Sequence, residues 1–292
     1  MNTAARRLRT VGIPAFVSML TVFGVMSTPR PAASAGVWLP LLGTTGQSEQ
    51  TLSIHGHVQT LRIYGPRLGT PVVLSSGDGG WFHLAPQVAS LLASRGCFVV
   101  GFDVKAYLEA FTQGGATLRP QDVPRDYETL IAFASRATGR KPVLVGASEG
   151  AGLSVLAASD PLVKRSVAGV VGLGLPDRTE LGWRWRDAVI YFTHQSPDEP
   201  AFSVRTIVDR LAPLPLAVVH STHDEFAPLA EVQQIFDSAR QPKRLWVVNA
   251  SNHRFSGNAD GLARALRDAF DWIDSRTTSQ SSPVRPGSGG EE

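Results

Sequence analysis

Residues 142–156 read Pro-Val-Leu-Val-Gly-Ala-Ser-Glu-Gly-Ala-Gly-Leu-Ser-Val-Leu, and no other stretch constrains the fold as tightly. Three apolar β-formers run into Gly146-Ala147-Ser148-Glu149-Gly150, and a small-residue segment turns apolar again at Leu153, Val155 and Leu156. Gly-x-Ser-x-Gly between a strand and a helix is a sharp turn that presents the serine hydroxyl above a sheet edge. Side chains at the two flanking positions would crowd the neighbouring backbone, so glycine is what positions 146 and 150 admit. The competing reading, a serine in an ordinary glycine-rich loop, has no need of the strand before it or the helix after it. Ser148 is therefore the candidate nucleophile. The rest of the chain has to supply a sheet, a base, an acid and an oxyanion hole.

The rhythm of the chain supplies the sheet. Residues 51–54 and 58–63 alternate polar and apolar, as an antiparallel hairpin at a sheet edge does. Residues 72–74, Cys97–Phe102, 143–145, 167–175, 216–220 and 245–248 are short apolar runs, the pattern of strands buried on both faces. Between them lie helical faces on Val88, Leu91 and Leu92, on Tyr127, Leu130, Ile131 and Ala134, and on Leu229, Val232, Ile235 and Phe236. A last one carries Leu262, Leu266, Phe270 and Ile273, and a loop is expected between residue 103 and the helix around Tyr127. This alternation predicts an α/β fold with a mostly parallel central sheet covered by helices on both faces. Residues 176–213 break the rhythm with Trp183, Trp185, Tyr191, Phe192 and several prolines, and are expected to form a lid-like insertion.

The N-terminus has a separate logic. Arg6, Arg7 and Arg9 precede an apolar run at residues 11–26, and Ala33-Ser34-Ala35 then offers a small-x-small cleavage site. That order predicts a cleavable export signal over residues 1–35. The run contains Pro14 and falls short of the ~20 residues a spanning helix needs, which disfavours an uncleaved anchor. Residues 1–35 hold four arginines and no acid, so the formal charge of +3 belongs to the signal. No Lys/Arg cluster with interleaved aromatics remains, and nucleic acid is not an expected partner. The remainder suits one large domain over residues 36–275, and the Ser/Pro/Gly-rich residues 276–292 read as a disordered tail. Cys97, the single cysteine, lies in an apolar run and reads as core; the exported fold has to stand without an internal disulfide.

The chemistry follows from chain order. A serine hydroxyl is a weak nucleophile until a base accepts its proton, and the base needs a third group to orient it. Serine, then acid, then histidine is the order in α/β-hydrolases. His253 falls after the last strand and before the terminal helix, and Asp224 falls after the preceding strand. A surface-loop histidine and a helix N-cap ahead of Pro228 are the competing readings, and Glu225 is the neighbour that can replace Asp224. His220 and His223 beside Asp224 raise the question of zinc, but two histidines and one acid of uncertain facing make weak ligands, and no metal is expected. No cofactor is expected either. His55 and His57 read as surface, and His83 and His194 as pocket candidates.

The oxyanion needs backbone N–H donors. One is the N–H of Glu149. The other is expected from Gly77-Asp78-Gly79-Gly80-Trp81, the loop after the first core strand, with Asp78 or Gly79 as donor. A phosphate-cradling loop would need a Gly-Lys-Ser/Thr sequel, which this one lacks.

The run Ser76-Gly-Asp-Gly-Gly-Trp81, Gly-x-Ser148-x-Gly-Ala151 and Asn252-His253-Arg-Phe together resemble the VirJ and AcvB family of bacterial virulence proteins, over roughly residues 70–275. The resemblance implies an exported α/β-hydrolase that cleaves lysyl-phosphatidylglycerol, an aminoacyl ester on a membrane lipid, with Ser148 as nucleophile and His253 as base. This chain departs from the family pattern at Glu149, where an aromatic is usual, and at Asn252, where a second histidine is usual. A cationic lysyl group calls for carboxylates, so Asp78, Glu149 and Glu225 are expected to bind substrate, with Trp81 and either Trp183 or Trp185 adding cation–π or acyl contacts; the competing reading is that Asp78 hydrogen-bonds its own loop and the tryptophans are ordinary lid packing. The partner is then a small-molecule or lipid ester, with peripheral contact to membrane lipid. An acyltransferase on the same triad, and a non-catalytic periplasmic binding or secretion-accessory protein, are the alternatives; oligomeric state is not legible.

Overall fold

In a computed structural model, the protein is described over residues 47–112, 118–185 and 199–281. The expected signal at residues 1–35 lies outside the described residues, as does 282–292. Ten strands are described, in chain order: β1 (Ser48–Ile54), β2 (His57–Tyr64), β3 (Thr70–Ser75), β4 (Cys97–Phe102), β5 (Val143–Ala147), β6 (Gly169–Leu173), β7 (Arg178–Glu180), β8 (Ala201–Ser203), β9 (Leu216–Ser221) and β10 (Lys243–Val248). The helices are α1 (Leu84–Ser94), α2 (Val104–Thr112), α3 (Val123–Ser135), α4 (Glu149–Ser159), α5 (Pro161–Ser166), α6 (Leu229–Ser238) and α7 (Ala259–Ser281).

Eight strands form one sheet in the order β1-β2-β4-β3-β5-β6-β9-β10. The β1–β2 hairpin pairs antiparallel and joins β4 antiparallel, whereas every pairing from β4 to β10 is parallel. The two-residue period of the strands sorts the core. Val72, Leu74, Val143, Val145, Val171, Ala217 and Val219 face α1 and α7. The residues between them, Val73, Leu144, Val170 and Val218, face α2 to α6. Burial on both faces is why β3, β5, β6 and β9 read as continuous apolar runs.

Two sequence expectations change. Residues 104–112 form α2 rather than a loop, because Val104, Tyr107 and Leu108 bury one face. Tyr107 packs its ring 5.1 Å from Phe102 and donates a 2.6 Å hydrogen bond to Asp126. The terminal helix runs on to Ser281, so the expected tail does not begin at residue 276. Of the irregular segment 176–213, the described parts form a two-stranded antiparallel sheet of β7 and β8 followed by two turns of 3₁₀ helix; Tyr191, Phe192 and His194 lie outside the described residues. Cys97 is buried as expected, and burial pushes its thiol up to about 11.

The connection after β3 leads to β4 on one side, and the chain then crosses back to β5 on the other. This reversal opens a crevice beyond the carboxyl ends of β3 and β5, the place where such sheets bind ligands. Among the described residues no helix is long and apolar enough to cross a membrane.

Candidate active site

β5 delivers Ser148 into the crevice. Ser148 has φ 52° and ψ −123°, an unfavourable conformation for a residue with a side chain, and it sits immediately before the first turn of α4. Its N–H donates to the Leu173 carbonyl at 2.9 Å, tying the turn to β6. A Cβ on Gly146 would lie 2.2 Å from the Gly150 carbonyl oxygen, and one on Gly150 would lie 2.2 Å from that of Ser76. The two glycines are therefore required by contact, as the sequence pattern implies.

The loops after β9 and β10 supply the second half. Asp224 Oδ2 and His253 Nδ1 are 2.6 Å apart. The other carboxylate oxygen, Oδ1, accepts the N–H groups of Phe226 and Ala227 at 3.0 and 2.9 Å. Burial alone would raise the Asp224 pKa, but the His253 bond and charge outweigh it and hold it below the usual range. Burial likewise opposes protonation of His253, and the Asp224 bond and charge outweigh it and raise its pKa. The pair is thus poised to hold a proton on the imidazole. Phe226 sets its ring edge-on to His253 at 5.4 Å.

Two neighbours make this geometry possible. Gly174, at φ +54°, lies under the pair, and a Cβ there would be 2.5 Å from His253 Cε1 and 3.1 Å from Asp224 Oδ2. Glu225 Oε2 accepts the His253 backbone N–H at 2.7 Å and fixes the loop. Glu225, expected to bind substrate, is engaged here with the histidine loop and does not line the cavity. His220 is fully buried behind the acid, with Nδ1 3.8 Å from Asp224 Oδ2, and burial lowers its pKa.

The loop after β3 closes over the serine. Gly80 N–H donates to the Gly77 carbonyl at 3.0 Å, a tight turn with Asp78 and Gly79 at its tip. A Cβ on Gly77 would approach Ser148 Cβ to 3.2 Å, so the turn lies directly against the elbow. Ser148, Glu149, Asp78, Gly79 and His253 all line one cavity of about 590 Å³.

Trp81 does not join them. Its indole is 7% exposed, packs over Gly101 and donates to Tyr64 Oη at 3.2 Å, with Arg62 stacked 5.5 Å from its ring. The expectation that Trp81 binds substrate is corrected: a ring of that size finds its space where Gly101 leaves the sheet bare. Of the alternatives, Trp183 lines the cavity beneath Lys105, while Trp185 is 84% exposed and stands off it. His83 lines the wall.

Glu180, on β7, is the cavity residue that sequence reasoning missed. Its carboxyl is buried and lies within hydrogen-bonding reach of Glu149. Burial, and next the charge of Glu180, push Glu149 up to about 7; hydrogen bonds from the Ser148 side chain and the Glu149 backbone offset only part of this. Among the described residues, no hydrogen bond joins Ser148 to His253.

A sequence profile of the bacterial virulence protein (VirJ) family matches residues 70–271. No curated protein matches the chain. Among solved structures, the esterase domain of a Rhodothermus marinus protein superposes with a TM-score of 0.55 at 18% identity, over 79% of this chain and 99% of that one. A membrane phospholipase A described as a bacterial virulence factor gives 0.59 at 12% identity, over 79% and 87%. An esterase of Pyrococcus furiosus gives 0.58 at 15% identity, over 84% and 96%. At these identities the structural likeness speaks for the fold, and the family match for descent. The chain belongs to the bacterial virulence protein (VirJ) family and has the α/β-hydrolase fold.

Proposed function

We propose that the protein is an exported serine hydrolase that cleaves a carboxylic ester through an acyl-enzyme on Ser148. One observation carries the reading: a serine at a strained elbow shares a cavity with a histidine whose far nitrogen is held 2.6 Å from a buried aspartate. In this mechanism the Ser148 hydroxyl attacks the ester carbonyl while His253 Nε2 accepts its proton. Asp224 stabilises the imidazolium without taking the proton. The oxyanion is met by the N–H of Glu149 and that of Asp78 or Gly79, at the start of α4, where the helix dipole also favours negative charge. His253 then returns the proton to the leaving alcohol, and water releases the acyl group by the same path. The missing Ser148–His253 bond does not argue against this, because such bonds often form only with substrate present.

The substrate we propose is an aminoacyl ester of a phospholipid such as lysyl-phosphatidylglycerol. Asp78 on the cavity wall suits a cationic acyl group, and Phe82, 71% exposed at the same cavity, suits peripheral contact with lipid. Hydrolysis of lysyl-phosphatidylglycerol and of a neutral p-nitrophenyl ester should be compared in the wild type and Asp78→Asn. A selective loss on the lysyl lipid supports the substrate, and an equal change on both removes it. Export is tested by N-terminal sequencing of the mature protein, which should begin at Gly36.

A further inference from the structure

The candidate oxyanion hole already holds a carboxyl group. Through Oε2 the Glu149 side chain accepts the Asp78 N–H at 3.4 Å. That N–H is one of the donors assigned above to the oxyanion, and the other, the Glu149 N–H, belongs to the same residue as the carboxyl. Ser148 and this carboxyl line the same cavity. Glu149 therefore stands where the oxygen of a substrate carbonyl has to go. Glu180 lies beside it, and both residues are only 6% exposed.

We infer that Glu149 is a plug in the oxyanion hole and that Glu180 is a positioning residue, holding the plug uncharged by sharing one proton with it. The inference rests on the serine-hydrolase reading and adds a control to it. Two buried carboxylates in contact cannot both ionise cheaply, so one proton stays with the pair. The negative charge then rests on Glu180, whose Oε1 is 3.3 Å from Arg178 Nε. A neutral Glu149 carboxyl holds backbone N–H groups weakly and yields to substrate. Once ionised, it holds them through charge-assisted bonds of roughly twice the strength, and it sets a negative charge where the oxyanion must form.

The surroundings fit this assignment. Asp78, from the loop after β3, adds negative charge near Glu180, and His253 feels the charge of Glu149 across the cavity. The other charged groups on the wall have partners elsewhere. Lys105 of α2 pairs with Glu109 at 3.0 Å, Asp177 with Arg205 at 3.7 Å, and Glu231 of α6 accepts the Asp177 N–H at 2.8 Å. Arg254 and His83 are exposed at the wall. Burial and the Glu180 charge place the loss of the Glu149 proton near pH 7.

The test is the second-order rate at which a fluorophosphonate labels Ser148 between pH 5 and 10, in wild type, Glu149→Gln and Glu180→Gln. The wild-type rate should fall by about tenfold per pH unit beyond the ionisation of the pair. Glu149→Gln, neutral at every pH, should lose that fall and label faster than wild type in the alkaline range. Glu180→Gln removes the like charge, so Glu149 ionises more readily and the fall should begin at lower pH. Opposite displacements from two isosteric substitutions are not what loss of packing produces. Coincident profiles for the three proteins would overturn the inference while leaving the nucleophile intact. No labelling of the wild type at any pH would instead reject the serine-hydrolase reading beneath it.

Discussion

The two halves of the candidate site are built to opposite rules. On the Asp224–His253 side every contact is complementary: the acid has an imidazole partner and two backbone donors, and the histidine loop is tied by Glu225. On the Ser148 side, like meets like. Two carboxyls lie together, one of them on the Asp78 N–H proposed to meet the oxyanion. The first half holds a proton-accepting geometry ready; the second is in a resting arrangement that substrate has to displace. On the proposed mechanism, the acid–base pair is preorganised and the oxyanion donor is occupied.

Substitutions on each side can break this contrast. The largest effect belongs to Asp224→Asn, which keeps the shape but removes the charge behind the imidazole. A loss in kcat of ~10⁴-fold at neutral pH is expected by analogy with other triads, with unchanged circular dichroism. A loss below tenfold would mean that Asp224 does not orient the base. Gly174→Ala should cost less, on the order of 10²-fold in kcat/KM, because its methyl group would displace His253 by a fraction of an ångström and must adopt a positive φ. If the activity of this variant matched wild type, the tight seating of the imidazole described here would be wrong. Trp81→Phe should have the smallest effect on catalysis. It leaves Tyr64 without its indole partner and should lower stability by ~1–3 kcal/mol with kcat/KM within about twofold of wild type. A larger loss of activity than of stability would return Trp81 to the substrate.

What the sequence shows and hides follows the same division. The placement of Ser148, Asp224 and His253 is legible because each follows a strand, β5, β9 or β10, whose ends share one edge of a parallel sheet. The glycines at 146 and 150 are legible because a close backbone contact admits no other residue. Trp81 sits in an equally recognisable motif, yet the direction of its ring depends on the space over Gly101, a partner on another strand. Glu180 is hidden for a further reason: it belongs to a segment with no helical or strand period, so nothing local tells that it turns inward. The helix at 104–112 carries apolar residues at helical spacing, but its burial depends on α3 and Phe102. Local pattern reveals which residues lie at the sheet edge; packing decides which of them face one another.

The central claim is that Ser148 forms a covalent acyl intermediate. Its most direct measurement is intact-protein and peptide mass spectrometry after brief incubation with an activated ester, on wild type and Ser148→Ala. The account predicts an acyl adduct mapped to Ser148 in the wild type, none in the variant, and a fall in turnover of several orders of magnitude on substitution. Turnover of the ester by Ser148→Ala at the wild-type rate, or an adduct on another residue, would contradict it.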